Sequence, residues 1–246
     1  MSALLEEQEG LVQQLQHPKK IRRAGRDFWH GELQGHRVVM ALSRIGKVAA
    51  ATTATTLIEA FGATRVVFTG VAGGLGDGVR VGDVVIARHF LQHDMDATPL
   101  FPKYEIPLYG QTLFPCDANS IAIFLKASDS ILTRGSDHLF AQNEGRTPVV
   151  HCGLIATADR FVASAQEATS LKAALQSEGF EALAVEMEGA AVAQVCFDYA
   201  VPFAAVRTIS DRADDTAHVD FPKFVAKVAS HYSREIIGEF LKMLPK

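Results

Sequence analysis

Runs of apolar residues alternate along the chain with stretches in which apolar residues recur at helical spacing. The runs predict buried strands, at 37–42, 65–69, 84–87, 149–156, 182–187 and 203–208. The stretches between them predict helices, at 1–16, 45–61, 117–130, 165–177, 189–196 and 221–243. Because continuous apolar strands alternate with helices, we predict an α/β fold. It is one three-layer αβα domain over residues 1–246, with a central sheet that is mixed and mainly parallel.

Turn and loop signals separate these elements. Two strands are predicted within 28–43, joined by a turn at 34–35, and Gly62 occupies the C-cap position of the helix that follows. Segment 92–115 carries several prolines and aromatic residues, so we expect a long loop or arm, and loops of this length are often functional or interfacial. Segment 137–146 is the most polar part of the chain and predicts an exposed loop.

Composition narrows the class of protein. The chain has 246 residues, 48% of them hydrophobic, which is enough to bury the core of one large domain. The formal net charge is -4, and a solvated loop or hairpin explains the one basic cluster. That cluster consists of Lys19, Lys20, Arg22, Arg23 and Arg26. We therefore expect no nucleic-acid partner.

Cysteine usage and hydropathy bear on location and cofactors. The three cysteines lack the spacing of metal ligands, which indicates a reduced, cytoplasmic protein. No apolar run approaches the ~20 residues of a membrane span, and the acidic N-terminus is unlike a signal peptide. His93, Asp94 and Asp96 could mimic a metal cluster, but no further ligand set is visible, so we interpret them as loop residues. We expect no membrane partner, no metal and no other cofactor.

Two carboxylates interrupt the strand-to-helix junction within 182–196. Glu186 lies inside the apolar strand, where an unpaired carboxylate costs several kcal/mol. Glu188 follows it, at a point where the first turn of a helix would offer free N–H groups. A structural ion-pair network and a functional site explain this pair of residues about equally well.

A glycine-rich segment, 70–78, follows the predicted strand 65–69. Its glycines would let backbone N–H groups approach a ligand closely. It is not the dinucleotide-binding fingerprint, whose glycines open a helix, because a strand follows here. A tight turn explains much of the same pattern, so this segment alone is a weak signal.

Four groups of residues stand at the ends of predicted strands: 70–78, 161–162, 186–188 and 207–211. Loops that converge on one edge of a sheet make a pocket there. These groups offer carboxylates, one arginine, an aromatic ring and backbone groups, which suits acid–base chemistry on a neutral small molecule. A simpler interpretation of each remains, because a single Phe is more often a core residue and a single Arg more often an ion-pair partner.

At this point the chain resembles a known family, the 5′-methylthioadenosine/S-adenosylhomocysteine nucleosidases of the nucleoside phosphorylase/hydrolase superfamily. The resemblance lies in GVAGGLGDGVRVGDVV (70–85), VEMEGAAVAQVC (185–196) and RTISDRAD (207–214). SRIGKVAAA (43–51) and SALLEE (2–7) are similar to two further blocks. The resemblance covers nearly the whole chain. It implies a nucleoside phosphorylase-like fold and hydrolysis of the N-glycosidic bond of 5′-methylthioadenosine and S-adenosylhomocysteine, which releases adenine and a 5-thioribose product.

The resemblance implies a role for each matched polar position. Asp211 is expected to be the general acid that protonates purine N7, and Glu7 the carboxylate that activates water. Glu188 is expected to hold the ribose hydroxyls, and Arg207 to lie close to the water site. The physical chemistry agrees, because N-glycosidic cleavage needs one protonated and one ionised carboxyl group in different environments.

The same resemblance implies the walls of a substrate site. Phe161 is expected to stack on the purine, and the Val162 backbone to read the purine edge. The 5′-alkylthio group is expected to lie against Ile45, Met187 and Phe221. The expected substrate-binding residues are Ile45, Val71, Ala72, Gly73, Phe161, Val162, Glu186, Met187, Glu188, Arg207, Ser210 and Phe221.

The chain departs from the family at three places. Val71 stands where the family often has Ser, which removes a hydroxyl near the water and the sugar. The family begins with a hydrophobic strand before the block SALLEE, whereas only Met1 precedes Ser2 here, so we expect Glu7 to be held less firmly. Segment 100–107 is longer than in compact bacterial members. This region reaches the neighbouring subunit in the family, so the resemblance implies a homodimer.

Other activities stay open on the sequence alone. A phosphorolytic nucleoside phosphorylase would need basic groups around 70–78, where only Arg80 is near, so hydrolysis is favoured. A futalosine-type hydrolase differs in its 5′ pocket, whose shape the sequence does not show. A non-catalytic nucleoside-binding protein would need no acid and base, whereas Glu7, Glu188 and Asp211 occur together.

Overall fold

The computed structural model describes residues 1–133, 146–214, 217, 221, 224 and 230–245. Within them the helices are α1 Leu5–Val12, α2 Lys47–Phe61, α3 Ala118–Thr133, α4 Ala165–Ser177, α5 Gly189–Asp198 and α6 Ser230–Met243. The strands are β1 Gln16–Arg23, β2 Arg26–Leu33, β3 His36–Ala41, β4 Val66–Gly74, β5 Val84–Gln92, β6 Phe114–Pro115, β7 Val150–Thr157, β8 Ala182–Glu186 and β9 Phe203–Asp211. The alternation of strands and helices agrees with the sequence prediction.

The central sheet is mixed, as predicted. β5, β7 and β8 run parallel to one another, and β4 runs parallel to β9. Antiparallel pairings join β8 to β4 and β9 to β5, while the short β6 pairs with β5. The order β5-β7-β8-β4-β9 therefore returns to β5 and closes into a ring. The hydrophobic pattern did not predict this closure, because each closing ladder involves only two or three residue pairs.

Helices pack against this sheet in separate apolar clusters. α2 and α5 share one apolar cluster with the strands, in which small residues such as Ala50, Ala54 and Ala190 let the backbones approach closely. α1, α3 and α6 belong to a second cluster, where the rings of Phe124 and Phe240 stack at 4.2 Å between centroids. The mixed α/β architecture is thus confirmed, and the site described below lies where strands of this sheet end.

Residues 1–4 lie outside the first helix, and Ser2 forms an isolated β-bridge with Leu42, which corrects the prediction of a helix over 1–16. The Met1 amino group donates to the Val67 carbonyl at 2.7 Å, and the Ser2 N–H donates to the Ala41 carbonyl at 3.2 Å. Ser43 N–H in turn donates to the Ser2 carbonyl at 2.8 Å. These two residues therefore link β3 to β4, and the helix is confined to α1 because their backbone groups already have partners in strands.

β1, β2 and β3 form a separate antiparallel sheet. The turn at 34–35 joins β2 to β3, as predicted. The basic cluster lies on the exposed β1–β2 hairpin, which confirms the hairpin interpretation, and Lys20 pairs there with Asp27 at 2.7 Å. Gly62 ends α2 with a left-handed φ of 65°, the conformation that favours glycine at a helix C-terminus.

The predicted arm lies wholly within the described residues, whereas most of the predicted loop 137–146 lies outside them. Residues 93–113 contain no helix or regular strand, only an isolated bridge between Ile106 and Gln111, so the arm prediction holds. Leu100 and Leu108 are 84% and 91% exposed on it. Of the predicted loop 137–146, only Arg146 is among the described residues. In the described part of the chain, no helix is both long enough and apolar enough to cross a bilayer.

Candidate functional site

The glycine-rich segment lies partly in a strand rather than in a loop, because β4 continues to Gly74. Its glycines leave room for two carboxylates. A Cβ on Gly70 would lie 3.1 Å from Oε1 of Glu7, and a Cβ on Gly73 would lie 3.0 Å from Oδ1 of Asp211. The sequence predicted that a ligand would come close to these glycines. In the structure, the side chains of Glu7 and Asp211 come close to them instead.

Glu7, in α1, is buried beside Gly70 of β4, with 2% of its surface exposed. Its carboxylate accepts hydrogen bonds from the N–H groups of Ala3 at 2.9 Å, Leu4 at 3.0 Å and Val71 at 3.1 Å. Burial raises the pKa of Glu7, and these donors together with the charge of Arg207 oppose only part of that rise. Despite the short segment before it, Glu7 is held firmly by three backbone groups, which corrects the expectation of a loosely held carboxylate.

Asp211 lies at the end of β9, a strand buried along its whole length. Its Oδ2 accepts the hydroxyl proton of Ser210 at 2.8 Å, and its Oδ1 accepts the Ala213 N–H at 2.8 Å. Ser210 is itself fully buried, and Ala72 of β4 pairs with the neighbouring Ile209. The carboxyl group is therefore oriented by β9 and by the residues that follow it.

Glu186 and Arg207 form a buried ion pair. Arg207 donates to Oε2 of Glu186 at 2.8 Å, and its side chain is 1% exposed. The guanidinium also donates to the Phe68 carbonyl at 3.1 Å and lies 4.2 Å from the centroid of the Phe68 ring. Glu186 further accepts the hydroxyl of Thr157 and the N–H of Gly189. Its oxygens are thus occupied by protein donors, and this junction contains the ion-pair network that the sequence left open.

Glu188 has a different environment two residues further on. It is 7% exposed, and its Oε1 accepts the Gly46 N–H at 2.8 Å. Burial and, next, the charge of Glu186 raise the pKa of Glu188 to about 8. The pair therefore combines both interpretations: Glu186 is part of a network, and Glu188 is a perturbed carboxyl group of the kind that clusters at functional sites.

The first turn of α5 does not offer the free N–H groups that the sequence suggested near Glu188. The N–H groups of Glu188 and Gly189 donate to Glu186, at 3.2 Å and 2.8 Å. The Ala190 N–H donates to the Thr157 hydroxyl at 2.9 Å. Thr157 was missed by the sequence analysis, and its position at the end of a predicted strand was the only signal for it.

The candidate apolar residues lie around the same strand ends. The rings of Phe161 and Phe221 meet edge to face at 5.6 Å between centroids, and Phe161 is 41% exposed. Val162 is buried in a cluster with Val185 and Ala213, next to the Asp211 segment. Ile45 directly precedes Gly46 and is 56% exposed, while Met187 lies half-buried between the two glutamates. The structure therefore places Val162 beside the segment that follows Asp211, and Ile45 beside the Gly46 contact to Glu188.

His93, Asp94 and Asp96 are the residues that could mimic a metal cluster in the sequence. Asp94 pairs with Lys47 at 2.6 Å, and Asp96 accepts the N–H and the hydroxyl of Thr98. Among the described residues, no group of three or more His, Cys, Asp or Glu side chains is arranged to hold a metal ion. These carboxylates thus have partners within the protein.

The chain matches known proteins over almost its whole length. A family model described as "Phosphorylase superfamily" matches residues 1–242. The 5′-methylthioadenosine/S-adenosylhomocysteine nucleosidase of Shewanella frigidimarina is 37% identical over 229 residues, which are 93% of this chain and 91% of that protein.

Solved structures show the same likeness. The crystal structure of 5′-methylthioadenosine/S-adenosylhomocysteine nucleosidase from Neisseria meningitidis, in complex with methylthio-immucillin-A, has a TM-score of 0.85 and 34% identity. The match covers 99% of this chain and 97% of that one. The native futalosine hydrolase of Helicobacter pylori has a TM-score of 0.84 and 30% identity, covering 99% of this chain and 96% of that one.

Sequence blocks, fold and full-length matches lead to the same assignment. Of the buried carboxylates described above, Glu7 lies in the block 2–7, Glu186 and Glu188 lie in 185–196, and Asp211 lies in 207–214; the family model covers all of these blocks. The chain belongs to the 5′-methylthioadenosine/S-adenosylhomocysteine nucleosidase family of the phosphorylase superfamily.

Proposed function

We propose that this protein hydrolyses the N-glycosidic bond of 5′-methylthioadenosine and S-adenosylhomocysteine. The observation that carries the proposal is the gathering of three buried carboxyl groups: Glu7 of α1, Glu188 after the end of β8, and Asp211 at the end of β9. Glu7 and Asp211 both lie against glycines of β4, and the charges of Glu7 and Glu188 influence each other. Relatives that carry the name of this nucleosidase support the choice of substrates.

Asp211 acts as the general acid in this proposal. A proton from its carboxyl group passes to purine N7, which turns adenine into a neutral leaving group. The bond between C1′ of the ribose and N9 of the purine then breaks, and the ribosyl centre develops oxocarbenium character. Ser210 and Ala213 fix the direction of the carboxyl group through their hydrogen bonds.

Glu7 activates the attacking water. The water oxygen bonds to C1′ while Glu7 takes the proton that the water loses, so a hydroxyl group is added to the sugar. Burial raises the pKa of Glu7, which brings it towards the working pH and improves it as a base. The three backbone N–H groups that bind this carboxylate hold it in one orientation.

Glu188 holds the ribose hydroxyls. With a pKa of about 8, its carboxyl group is mainly protonated at neutral pH. A protonated carboxyl group can donate to one hydroxyl and accept from the other, whereas an ionised one can only accept. Phe161 stacks on the purine, and Ile45, Met187 and Phe221 surround the 5′-alkylthio group.

Hydrolysis is favoured over phosphorolysis by the surroundings of Glu7. A phosphate ion would use the backbone N–H groups of the glycine-rich segment, yet the Val71 N–H already donates to Glu7. A carboxylate at this place also repels an anion. Arg207 is the nearby cation, and its guanidinium is engaged by Glu186 and by the Phe68 carbonyl. Water, being neutral, fits this position better than phosphate does.

The test is adenine release from 5′-methylthioadenosine and S-adenosylhomocysteine, each with and without phosphate. We expect equal release in both conditions. Release that requires phosphate would make the protein a phosphorylase. If adenosine-type ligands bind but no adenine appears, the protein is a nucleoside-binding protein, and the proposal is wrong.

A futalosine-type hydrolase is the second candidate, because the Helicobacter pylori futalosine hydrolase is as similar in structure as the nucleosidases are. The same acid, base and ribose contacts would serve either substrate, and only the 5′ pocket would differ. Rates measured with 5′-methylthioadenosine and with a futalosine-type nucleoside decide between the two. A higher kcat/KM for the larger substrate would favour the second candidate.

We further propose that the chain is one domain, that it forms a homodimer, and that it works in methionine salvage in the cytoplasm. The exposed Leu100 and Leu108 on the arm support a protein interface, since exposed apolar patches mark such surfaces. Three free cysteines support a reducing compartment. Light scattering should give the mass of a dimer, and Leu108→Lys should shift it towards the monomer.

A further inference from the structure

A network of polar side chains lies beside the candidate site without belonging to it. Lys47, at the start of α2, donates through Nζ to Oδ1 of Asp94 at 2.6 Å and to Oε1 of Gln92 at 3.1 Å. The other oxygen of Asp94 accepts the Asp159 N–H at 3.0 Å. Asp159 completes the circuit, because its Oδ1 accepts the Lys47 N–H at 2.7 Å. We call Lys47, Asp94 and Asp159 the clasp.

The clasp joins three separate segments of the chain. Lys47 begins α2, Asp94 follows the end of β5, and Asp159 follows the end of β7. Gln92 extends the connection to a fourth element, since its amide donates to Gln194 of α5 at 2.8 Å. The Lys47–Asp94 pair is partly shielded, with side-chain exposures of 17% and 33%. Several hydrogen bonds in one circuit restrict geometry more than a lone surface pair does.

Each end of the clasp is next to a residue with a proposed substrate contact. Gly46, directly before Lys47, donates its N–H to Glu188, and Ile45 precedes it. Phe161 and Val162 come shortly after Asp159 in the chain. A Cβ on Gly46 would lie 3.1 Å from Oδ1 of Asp159, so the two segments are in close contact at this point. The clasp therefore connects the segment that contacts Glu188, which we call the ribose side of the site, with the segment that carries Phe161, which we call the purine side.

We propose that the clasp is a positioning device, resting on the proposed function, that fixes the distance between the purine-stacking segment and the Gly46–Glu188 contact. Lys47, Asp94 and Asp159 do not touch the reacting atoms in this proposal. They hold the two halves of one nucleoside site in register, so that Phe161 and Glu188 engage the same substrate molecule. Small displacements of positioning groups can cost up to about 100-fold in rate.

The experiment compares Asp94→Asn and Lys47→Met with the unchanged protein. We expect kcat/KM for 5′-methylthioadenosine to fall about tenfold in each variant, with the melting temperature nearly unchanged. The double variant should fall no further than either single variant, because both changes open the same circuit. Lys47→Arg, which keeps the charge, should recover most of the activity. The matched control is Asp27→Asn, which removes another lysine pair, that of Lys20 and Asp27 on the β1–β2 hairpin, and should leave kcat/KM unchanged.

Comparing the affinities of two ligands distinguishes a positioning role of the clasp from a purely structural one. Calorimetry should show that adenine alone binds the clasp variants nearly as well as the unchanged protein, because it uses only the purine side. A non-hydrolysable 5′-methylthioadenosine analogue spans both sides and should bind about tenfold more weakly. Equal losses for adenine and the analogue, additive losses in the double variant, or a melting temperature that falls together with activity would overturn the proposal.

The outcome for the clasp is separate from that of the proposed function. If the unchanged protein releases adenine but the variants behave like Asp27→Asn, the clasp proposal fails and the proposed function stands. If the unchanged protein releases no adenine and does not bind the analogue, the proposed function fails and the clasp proposal fails with it.

Discussion

The parallel strands β5, β7 and β8 carry a buried carboxyl group at each end, and the two groups have opposite properties. At the start of these strands, Asp83 is fully buried and accepts from Arg146, His151 and the Val149 N–H. These donors outweigh burial and lower the pKa of Asp83. At the other end, burial and the charge of Glu186 raise the pKa of Glu188 to about 8.

The difference teaches that burial alone does not set the charge of a carboxyl group: burial raises the pKa of both groups, and only the donors around Asp83 reverse that rise. Asp83 has hydrogen-bond donors on both oxygens, two of them on side chains that carry or can carry positive charge. Glu188 has the Gly46 N–H, while the nearby Arg207 is paired with Glu186. We therefore interpret the Asp83 end as structural and the Glu188 end as reactive.

The largest effect is expected for Asp211→Asn at the reactive end. Loss of the proton donor should lower kcat about 1000-fold, within the range for removal of a general acid. The melting temperature should change little, since Asn keeps the size, accepts the Ala213 N–H through its oxygen and can donate through its amide nitrogen to the Ser210 hydroxyl oxygen. Steady-state kinetics with 5′-methylthioadenosine and thermal unfolding together check this. Near-normal kcat would show that Asp211 is not the acid.

Asp83→Asn should have the opposite effect. It leaves Arg146 with a weaker, uncharged partner, and we expect a loss of about 2 kcal/mol in the free energy of unfolding. The lowered pKa of Asp83 means that its contribution is present at neutral pH and is lost as the pH falls through the folded-state pKa. Urea unfolding at pH 7 and pH 3 should show a smaller difference between variant and parent at pH 3 than at pH 7. A large loss of kcat with unchanged stability would contradict the structural interpretation.

Gly73→Ala should weaken catalysis by a smaller factor, because it acts on the geometry of the reactive end. The added Cβ would lie 3.0 Å from Oδ1 of Asp211 and 3.1 Å from Cβ of Ala213. We expect kcat to fall about tenfold as the carboxyl group is displaced. Gly238→Ala is the matched control: it lies in α6 with no atom within 4 Å of the added Cβ, and it should raise stability slightly at unchanged kcat.

The smallest effect is a pH-dependent change in stability for Glu188→Gln. The pKa of Glu188 rises from 4.5 to about 8 in the folded protein, so folding favours the protonated form. The stability that this gives is complete below pH 4.5 and declines as the pH rises towards 8. Gln removes the cost of the buried charge, and the variant should gain about 1 kcal/mol at pH 9, or about 2–4 °C in Tm. An equal gain at pH 5 would contradict the raised pKa.

Much of the fold followed from the hydrophobic pattern, because long strands and amphipathic helices carry strong periodicity. α4 was predicted with the bounds that the structure shows, and the strands β5 and β9 were predicted at their starts but extend further. The ends of these strands contain charged or polar residues such as His89 and Asp211, and a prediction based on apolar runs ends before such residues. Pairing between distant strands, which closes the ring, leaves no periodic trace in the sequence.

The candidate site could be predicted where a residue is chemically out of place. Glu186 and Glu188 stood out because carboxylates are rare in apolar strands, but only coordinates could show that Arg207 pairs with the first and not the second. The clasp was missed because Lys47, Asp94 and Asp159 are ordinary polar residues when each is considered alone. Their association depends on three strand and helix ends that meet in space.

The closed ring of strands has a consequence for hydrogen exchange. Every strand of the ring β5-β7-β8-β4-β9 has a neighbour on each side, so releasing one of them requires two ladders to open. Among the described strands, β1 pairs with β2 alone and can separate by breaking a single ladder. Deuterium should therefore enter the hairpin amides through local fraying, whereas ring amides should become labelled together, at the slow rate set by unfolding of the whole domain.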